Sequence, residues 1–411
     1  MAFNYEINQL ELMQARIKNV PHGWQFTYVG KAFSIRNNLR KPISEEERSM
    51  SPGNYPYYGP TKIQGYIGTY EQDGSYALIG EDGDHFLKFE KHSMTQLVDG
   101  KCTVNNHAHI IEGTQEATRE WFYYYFMHRD IFSFLSRQGA GRYKLNKASL
   151  EKMPLLLPPI AEQKKIAQIL STWGKAIAVT EKLLVNSQKQ KKALMQQLLT
   201  GKKRLLDENG VRFRGEWKWL RAVELFKTIS QKNNSEDVEL LAVTQDQGVI
   251  PRTMLERRVV MPDGSTKGYK LVVPGNFIIS LRSFQGGLEY SRYRGLVSPA
   301  YTVLTPIKKI VDEFYKQYYK SYDFIGHLAV AVIGIRDGKQ ISYEDFSFLK
   351  LPYPEIEEQQ KIADVLSAAD AEISMLEKKL SCLKEEKKAL MQQLLTGKRR
   401  VKVESEETVS A

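Results

Sequence analysis

A block of 47 residues occurs twice in this chain, and this repeat constrains the fold more than any other feature. Residues 158–204 align without a gap with residues 354–400, and 26 of the 47 positions are identical. The longest identical run, KKALMQQLLTGK, begins at Lys191 in the first copy and at Lys387 in the second. A repeat period close to half the chain length predicts two similar halves rather than a solenoid of many short units.

Both copies have the pattern of one long helix. Apolar residues recur at alternating spacings of three and four, which is the a/d seam of a coiled coil. The seam comprises Ile166, Leu170, Ile177, Leu184, Leu194 and Leu198 in the first copy and Ile362, Leu366, Ile373, Leu376, Leu380, Leu383, Leu390 and Leu394 in the second. Each copy begins with proline, just before the predicted helix, and ends with a glycine followed by lysines and arginines, as at helix termini. We predict two helices of about 40 residues, each roughly 60 Å long.

Polar residues interrupt the seam. Thr180, Ser187 and Lys191 lie in it in the first copy, and Lys387 occupies the position equivalent to Lys191 in the second. Gly174 is a candidate for a kink in the first helix. Each helix could instead lie on a globular core, but a two-position seam is narrower than the apolar stripe of such a helix. We therefore favour pairing of the two helices within the chain.

The segments outside the repeat predict two domains that differ from each other. Residues 20–150 and 212–345 contain short apolar runs and turn residues, which predict strands joined by turns. Both segments begin with a similar tetrapeptide that ends in Trp24 or Trp217, but their interiors share little sequence. The predicted boundaries are 1–155 for the first domain, 156–204 for the first helix, 205–350 for the second domain, 351–400 for the second helix and 401–411 for a disordered tail.

Composition favours a polyanionic partner inside the cell. The net charge is +11 and the isoelectric point is about 9.2, which raises the expectation of nucleic-acid binding. Only two cysteines are present, far apart in sequence, as is usual in a reducing compartment. We see neither a secretion signal nor an apolar run long enough for a membrane span, so we expect a cytoplasmic protein without membrane contact.

Catalytic and metal motifs are weak in this sequence. A phosphate-binding loop is missing. Ser298-Pro299-Ala300-Tyr301 resembles a methyltransferase tetrapeptide without its second proline, and Glu216-Trp217-Lys218 resembles half of a nuclease signature. His107 and His109 are two potential metal ligands that lack a third. We predict no catalytic residue, no metal ligand and no cofactor in this chain, and a packing role for Trp217.

Two groups of residues suit recognition of DNA, one in each domain. Arginine and glutamine read base edges, lysine contacts phosphate, and tyrosines can stack against nucleotides. The candidates are Tyr57, Tyr58, Lys62 and Gln64 in the first domain and Arg282, Ser283, Gln285, Arg292 and Arg294 in the second. The alternative is that the tyrosines pack in a core and that RSFQGG (282–287) forms only a tight turn.

The repeated pattern resembles a known family. The pattern Pro-x-Ile-x-Glu-Gln-x-Lys-Ile-Ala, followed by a long helix ending in LMQQLLTGK, occurs twice beside two dissimilar domains. This arrangement is similar to the specificity subunit of type I restriction–modification enzymes, over about residues 18–400. Residues 104–111 and 274–304 also look like recurring sequences of its target-recognition domains.

The resemblance implies an α+β fold. Two globular α/β target-recognition domains would be separated by two long helices that form an antiparallel coiled coil, in a pseudo-two-fold arrangement. It also implies that the chain is not catalytic and that each domain binds one half of a split, asymmetric site on double-stranded DNA, while the helices set the gap between halves.

The implied partners are two methyltransferase subunits and the restriction (motor–nuclease) subunits. S-adenosylmethionine, ATP and magnesium would then be bound by these partners rather than by this chain. Two other functions stay open from sequence. One is a coiled-coil adaptor that binds proteins rather than DNA, and the other is a fused enzyme with its own methyltransferase, which the chain length and missing motifs disfavour.

Overall fold

The computed structural model describes residues 17, 19–138, 142–232, 238–255, 266–331 and 341–403. The chain divides into two compact units, Met1–Val179 with Leu380–Ala411 and Thr180–Lys379. In the described ranges, no helix combines the length and the apolar character that a membrane crossing needs. Residues 404–411 of the predicted tail lie outside the described residues.

The first unit is built around one six-stranded sheet. The strands of the whole unit are β1 (Gln25–Tyr28), β2 (Ser34–Ile35), β3 (Pro52–Tyr58), β4 (Ile63–Ile67), β5 (Gln72–Gly80), β6 (Thr95–Val104), β7 (Ala108–Glu112), β8 (Ser136–Gln138), β9 (Arg142–Lys144) and β10 (Pro154–Leu157). Its short helices are α1 (Val29–Ala32), α2 (Glu45–Met50), α3 (Arg119–Phe126) and α4 (Lys147–Glu151). The sheet order is β2-β7-β5-β6-β3-β4, antiparallel except between β3 and β6. Two further antiparallel pairs, β1–β10 and β8–β9, lie outside it.

Aromatic residues of α3 form much of the first core. Thr118 caps this helix by accepting a hydrogen bond from the Trp121 backbone N–H, which accounts for where the helix begins. Trp121 and Phe122 are fully buried, and the Trp121 indole N–H donates to the Leu156 carbonyl at 3.0 Å. Trp24 packs edge-on against Trp121, with ring centroids 5.6 Å apart. The first domain is thereby packed against the segment that leads into the repeat.

The first repeat forms helix α5 (Ile160–Leu198), which runs without a break through Gly174. The second unit then begins its own domain. Its strands are β11 (Lys218–Arg221), β12 (Phe226–Ile229), β13 (Leu241–Thr244), β14 (Gly248–Pro251), β15 (Lys270–Val272), β16 (Phe277–Ile279), β17 (Glu289–Tyr290), β18 (Gly295–Val297), β19 (Thr302–Pro306) and β20 (Lys350–Tyr353). Its short helices are α6 (Ala222–Leu225), α7 (Ser283–Gly286), α8 (Asp312–Tyr318), α9 (Tyr322–Ala331) and α10 (Tyr343–Ser347).

The sheet of the second domain differs from that of the first. Four strands pair in the order β12-β19-β16-β17, and three separate antiparallel pairs are β11–β20, β13–β14 and β15–β18. The core of this unit is again aromatic, and Phe226, Phe277 and Tyr319 lie fully buried within it. Short 3-10 turns complete the two units at Asn37–Leu39, Asp84–Lys88, Phe132–Phe134, Arg252–Met254 and Thr266–Gly268.

The second repeat forms helix α11 (Ile356–Leu394), and α5 and α11 run antiparallel within each unit. In the first unit Glu162 near the start of α5 bonds Arg400 beyond the end of α11. In the second unit Lys191 bonds Asp370, and Ser187 bonds Glu372 one turn back along α5. All fourteen predicted seam residues are buried or half-buried. The predicted α+β fold with two domains and two long helices is confirmed.

Candidate nucleic-acid interface

A cluster of Trp24, Glu162 and Arg400 closes the first unit. The Trp24 indole N–H and Arg400 Nε donate to the same oxygen, Glu162 Oε2, at 3.2 and 3.0 Å. Arg400 Nη1 also donates to the His22 carbonyl at 2.6 Å. Only 9% of the Glu162 side chain is exposed, so the carboxylate depends on these donors in place of water. The cluster ties the first domain, the start of α5 and the segment after α11 together.

An equivalent cluster of Trp217, Glu358 and Arg204 closes the second unit. The Trp217 indole donates to Glu358 Oε2 at 2.9 Å, and Arg204 donates to both carboxylate oxygens at 2.5 and 2.6 Å. Arg204 also reaches the Gly215 carbonyl at 2.9 Å. The Glu358 side chain is completely buried, and its hydrogen bonds raise the pKa of the Arg204 guanidinium. The packing role predicted for Trp217 therefore includes a buried hydrogen bond.

We call these groups the closure clusters. Glu162 and Glu358 are 196 residues apart, as are Arg204 and Arg400, so both clusters use the same repeat positions. The arginine comes from the end of one repeat and the glutamate from the start of the other. Sequence reasoning assigned the terminal arginines only to the helix dipole. Both repeat copies end in arginine and both have a glutamate near their start. This shared pair of residues was a signal that could have revealed the pairing.

A repeated glutamine anchors each domain to its long helix. Gln163 accepts a hydrogen bond from the Thr118 backbone N–H at 2.8 Å and donates to the Pro158 carbonyl at 2.8 Å. Gln359 accepts from the Val311 backbone N–H at 2.9 Å and donates to the Pro354 carbonyl at 2.9 Å. Thr118 and Val311 are the capping residues of α3 and α8. Both domains are therefore attached to their repeat helix by the same bonds.

The tyrosines predicted to contact DNA in the first domain differ in exposure. Tyr57 is 2% exposed, and its hydroxyl accepts the Ile43 backbone N–H at 2.9 Å while Arg48 stacks on its ring. This geometry does not support a direct DNA contact by Tyr57, because the side chain packs in the core. Tyr58 is half-buried and presents only part of its surface.

Lys62 and Gln64 lie at one exposed end of the six-stranded sheet. Lys62 belongs to the turn between β3 and β4, and Gln64 Oε1 accepts a hydrogen bond from Asn105 Nδ2 at 3.1 Å. That bond holds the turn between β6 and β7 next to Gln64. Asn106 and His107 are exposed on this turn. We call Lys62, Gln64, Asn106 and His107 the first candidate surface. Asn106 was missed from sequence, because the closeness of the two turns follows from strand order rather than from spacing.

A partly buried polar network supports the first candidate surface. Arg40 pairs with Glu81 and donates to the Asn106 carbonyl at 3.0 Å, and Lys144 Nζ lies 3.2 Å from the same carboxylate. Burial alone would raise the pKa of Glu81, but the hydrogen bonds from Arg40 and Lys144 and the nearby His109 lower it overall. The network stays charged and holds the turn that carries Asn106.

The histidines considered as metal ligands have other partners. Nε2 of the buried His109 lies 2.7 Å from the Leu145 carbonyl and Nδ1 lies 2.8 Å from Asn37 Nδ2. His107 sits in the turn before β7 and pairs with Asp82 at 2.9 Å. Across the described ranges, no three His, Cys, Asp or Glu side chains are grouped so that they could hold a metal ion.

The loop between β16 and β17 carries the candidate residues Arg282, Ser283 and Gln285 of the second domain. Arg282 and Gln285 are exposed, whereas Ser283 is 1% exposed and its hydroxyl accepts the Ser280 backbone N–H at 2.8 Å. Ser283 therefore shapes the loop and presents no surface to DNA. Gly287 is required here, since a Cβ would lie 1.7 Å from the Tyr319 carbonyl oxygen.

Lys320 joins this loop to the hairpin of β13 and β14. Its Nζ donates to the Gly286 carbonyl at 2.9 Å and to the Gln245 carbonyl at 3.2 Å. The same ammonium lies 2.5 Å from the buried carboxylate of Glu289, whose pKa is raised by burial and lowered in part by Lys320. Gln245 and Gln247 are exposed on the hairpin turn. We call Gln245, Gln247, Arg282 and Gln285 the second candidate surface.

Arg292 and Arg294 lie at the other end of the β16–β17 pair. They follow β17, whose Tyr290 pairs with Phe277 at the start of β16, whereas the Arg282 loop leaves the end of β16. Arg292 already pairs with Glu313, while Arg294 is exposed. The structure therefore does not bring these two arginines together with Arg282 and Gln285.

A family model described as "Type I restriction modification DNA specificity domain" matches the chain twice, over residues 21–186 and 222–385. The chain belongs to this family. It is a type I specificity subunit with two specificity domains, which supplies DNA-sequence recognition in a restriction–modification complex. Specificity subunits are not catalysts, because catalysis lies in partner subunits. The resemblance, the recognition function and the non-enzymatic role predicted from sequence are confirmed.

Similar proteins carry the same family name. A Methanocaldococcus jannaschii protein, assigned provisionally as the MjaX specificity subunit, is 28% identical over 430 residues, covering 95% of this chain and 96% of that one. A Haemophilus influenzae protein, assigned provisionally as the specificity subunit S.HindORF215P, is 38% identical over 137 residues, only 33% of this chain and 34% of that one. The crystal structure of the S subunit from M. genitalium is 13% identical with a TM-score of 0.61, and covers 92% of this chain and 97% of that one. This last likeness shows the shared fold.

Proposed function

We propose that this specificity subunit binds a bipartite, asymmetric site on double-stranded DNA, one half through each domain. One observation carries the proposal. The two units share the closure cluster and the glutamine anchor, yet one domain has a six-stranded sheet and the other a four-stranded sheet. Identical attachment of two unlike domains suits a target with two unlike halves, because two identical domains would suit a palindrome.

Each domain would read its half-site through its candidate surface. Lys62, Gln64 and the half-exposed Tyr58 are candidates in the first domain, and Arg282 and Gln285 in the second, with Arg294 as a separate candidate. Arginine bonds guanine and glutamine bonds adenine in a bidentate manner, and lysine neutralises phosphate. Two half-sites joined by a stiff connector give more discrimination than one, since each mismatched base pair costs about 1–3 kcal/mol.

The long helices would fix the gap between half-sites. Each helix spans 39 residues, or roughly 58 Å at about 1.5 Å per residue. A rigid connector penalises wrong spacing, because each added base pair both lengthens B-DNA by about 3.4 Å and rotates it by about 34°.

The chain assembles with other subunits of its restriction–modification system. We place one methyltransferase subunit at each repeat, hence two per specificity subunit, together with the restriction (motor–nuclease) subunits. S-adenosylmethionine would bind to the methyltransferases, and ATP and magnesium to the motor–nuclease. Because the DNA target lies there, we place the complex in the cytoplasm.

Long-read methylome sequencing tests the proposal. A host that lacks other adenine methylation would express this chain with its methyltransferase partner. We expect one methylated motif with two unlike halves and a constant gap. A palindromic or uninterrupted motif, or methylation that persists when this chain is deleted, would contradict the proposal.

A further inference from the structure

One difference between the two repeat copies removes an ion pair from the helix pair of the first unit. In the second unit, Lys191 Nζ lies 2.5 Å from Asp370 Oδ1, and Gln317 donates to the other oxygen of that carboxylate at 2.6 Å. In the first unit the equivalent lysine is Lys387, and glycine occupies the position equivalent to Asp370. A Cβ on Gly174 would lie 3.3 Å from Lys387 Nζ. The lysine is thus kept, but its carboxylate partner is replaced by a glycine, and the Lys387 ammonium lies close to where a side chain at Gly174 would begin.

Lys387 is consequently a half-buried cation without a counter-ion among the described residues. Its burial lowers the pKa of the ammonium group, and no ion pair with a residue in the described ranges offsets this cost. In contrast, Lys191 at the same repeat position has its charge balanced by Asp370. An anion supplied from outside the chain would balance Lys387 in the same way.

Other basic side chains lie near Lys387, namely Lys388 and the imidazoles of His92 and His128. The pKa of His128 is lowered by burial, and beyond its bond to a backbone carbonyl the charges that act on it belong to Lys387, Lys388 and His92. His128 Nδ1 bonds the Phe89 carbonyl at 2.7 Å, which holds the segment with His92 beside the end of α3. Lys388 and His92 are exposed, as are Lys88 and Lys91 on the same segment as His92. We call Lys387, Lys388, His92 and His128 the basic patch.

The basic patch and the first candidate surface belong to the same unit and are linked by hydrogen bonds. The Met94 backbone N–H bonds the Met127 carbonyl at 3.0 Å, which places the start of β6 next to His128. Two residues further along, Gln96 Nε2 donates to the Gly59 carbonyl at 2.9 Å, in the turn that also carries Lys62. One backbone hydrogen bond and one from the Gln96 side chain therefore link the turn that carries Lys62 to the segment beside His128.

We propose that the basic patch contacts DNA phosphates beside the half-site that the first domain reads. The inference rests on the proposed function and adds an asymmetry to it. The first unit would hold the DNA backbone through its repeat helix, whereas the equivalent lysine of the second unit is occupied by Asp370. Phosphate fits the patch because it is anionic and regularly spaced along the duplex, so a duplex bound at Lys62 offers further phosphates along its length.

The test measures DNA binding by the complex of the full chain with its methyltransferase subunits. Fluorescence anisotropy would follow a duplex with the methylated motif and an unrelated duplex between 50 and 200 mM KCl. Each phosphate contact adds about 0.9 to the slope of log affinity against log salt. Lys387→Gln with Lys388→Gln should lower that slope by about 1 to 2 for both duplexes. At 50 mM salt the double substitution should weaken binding of both duplexes to a similar extent, because phosphate contacts do not depend on the base sequence.

Two matched controls isolate the charge. Gly174→Asp places a carboxylate beside Lys387, as Asp370 does for Lys191, and should lower the slope by about 1, whereas the uncharged Gly174→Asn should leave it unchanged. Lys192→Gln, at the repeat position equivalent to Lys388, should also leave the slope unchanged. Thermal melting of each variant complex reports whether it is folded.

The outcomes separate this inference from the function on which it rests. If wild-type complex binds with a steep salt dependence and the folded double variant retains the same slope, the basic patch does not contact phosphate. Loss of the methyltransferase subunits from the double variant, with the slope unchanged, would assign the patch to a protein partner and overturn the inference. If wild-type complex shows no salt-dependent DNA binding, the proposed function itself fails.

Discussion

Arg204 donates two hydrogen bonds to the buried carboxylate of Glu358, at 2.5 and 2.6 Å, although 154 residues separate them. Arg204 ends the first repeat, and Glu358 lies in the first turn of the second. Arg400 and Glu162 form the equivalent pair in the first unit, across 238 residues. Each unit thus contains the start of one repeat copy, where its helix begins, and the end of the other copy, where the partner helix ends.

Loss of either arginine should destabilise the unit that it closes, and the two losses should differ in size. The Arg204 side chain is 20% exposed and Glu358 is fully buried, so Arg204→Met should cost about 3–5 kcal/mol by leaving a buried charge. Arg400 is 40% exposed, and solvent screening should limit Arg400→Met to about 1–3 kcal/mol. Urea unfolding followed by tryptophan fluorescence measures both values.

A second substitution checks the cause. Adding Glu358→Gln to Arg204→Met removes the uncompensated charge while the amide oxygen can still accept from Trp217. Part of the lost stability should return. Equal losses for the two arginines, or no recovery in the double variant, would contradict a closure role based on burial of the carboxylate.

Arg282 should contribute to only one half of the DNA site. Arg282→Ala should cost about 1–3 kcal/mol of binding and relax base preference at one or two positions of a single half-site. Arg292→Ala is the matched control, because Arg292 already pairs with Glu313. Competition binding with singly substituted duplexes measures the effect. Unchanged preference in the Arg282 variant, or loss in both half-sites, would remove Arg282 from the reading surface.

Stability of the first unit should fall in mild acid through His85. Burial lowers the pKa of His85 to about 4 from an ordinary value of 6.5, and its Nε2 has no partner in the described structure. At a pH between the folded and the unfolded pKa of His85, this imidazole binds a proton more readily in the unfolded chain than in the folded one. The contribution of His85 is therefore present at neutral pH and is lost as the pH falls from about 7 towards 4.

His85→Leu isolates this contribution. From pH 7.5 to pH 4.5, the free energy of unfolding of wild type should fall more than that of the variant. The extra loss should be less than about 3 kcal/mol. Carboxylates that titrate in the same range affect both proteins and cancel. An identical pH dependence of the two proteins, by urea unfolding, would show that His85 is not held neutral by burial.

The spacing role of the helices can be tested by lengthening both. Ser187 on α5 lies 3.1 Å from Glu372 on α11, so Leu184 lies opposite the region of Leu376. One heptad inserted after each of these leucines keeps the seam in register and adds about 10.5 Å. The methylated motif should keep both halves and gain a gap of about three base pairs. A single insertion after Leu184 breaks the register and should abolish methylation, whereas an unchanged gap in the paired variant would refute the spacing role.

Sequence reasoning succeeded where a pattern is local or repeated. The seam residues were found because helical periodicity places them on one face, and Trp24 and Trp217 were recognised as equivalent because each ends a similar tetrapeptide at the start of its domain. The repeat also made the family recognisable. These inferences need only spacing along the chain.

The candidate surfaces were predicted only in part, because they depend on which turns the strands bring together. Tyr57 and Ser283 have side chains that suit DNA contact, but their position relative to the core buries them. Asn106 and Gln245 were missed because each becomes a neighbour of a candidate residue only through strand pairing. Arg282 and Arg294 were grouped by sequence distance, although β16 and β17 place them at opposite ends.

The central claim is that two interchangeable attachments present two unlike readers of DNA. Both domains begin and end in an antiparallel strand pair, β1 with β10 and β11 with β20. Residues 218–353 can therefore be replaced by residues 25–157, leaving both closure clusters and both long helices intact.

Long-read methylome sequencing of a host that expresses this chimera with the methyltransferase partner is the most direct test. If the two halves are related by the pseudo-two-fold axis predicted from sequence, the account predicts a palindromic motif made of two copies of the first half-site at the original gap. Continued methylation of the asymmetric wild-type motif would contradict it.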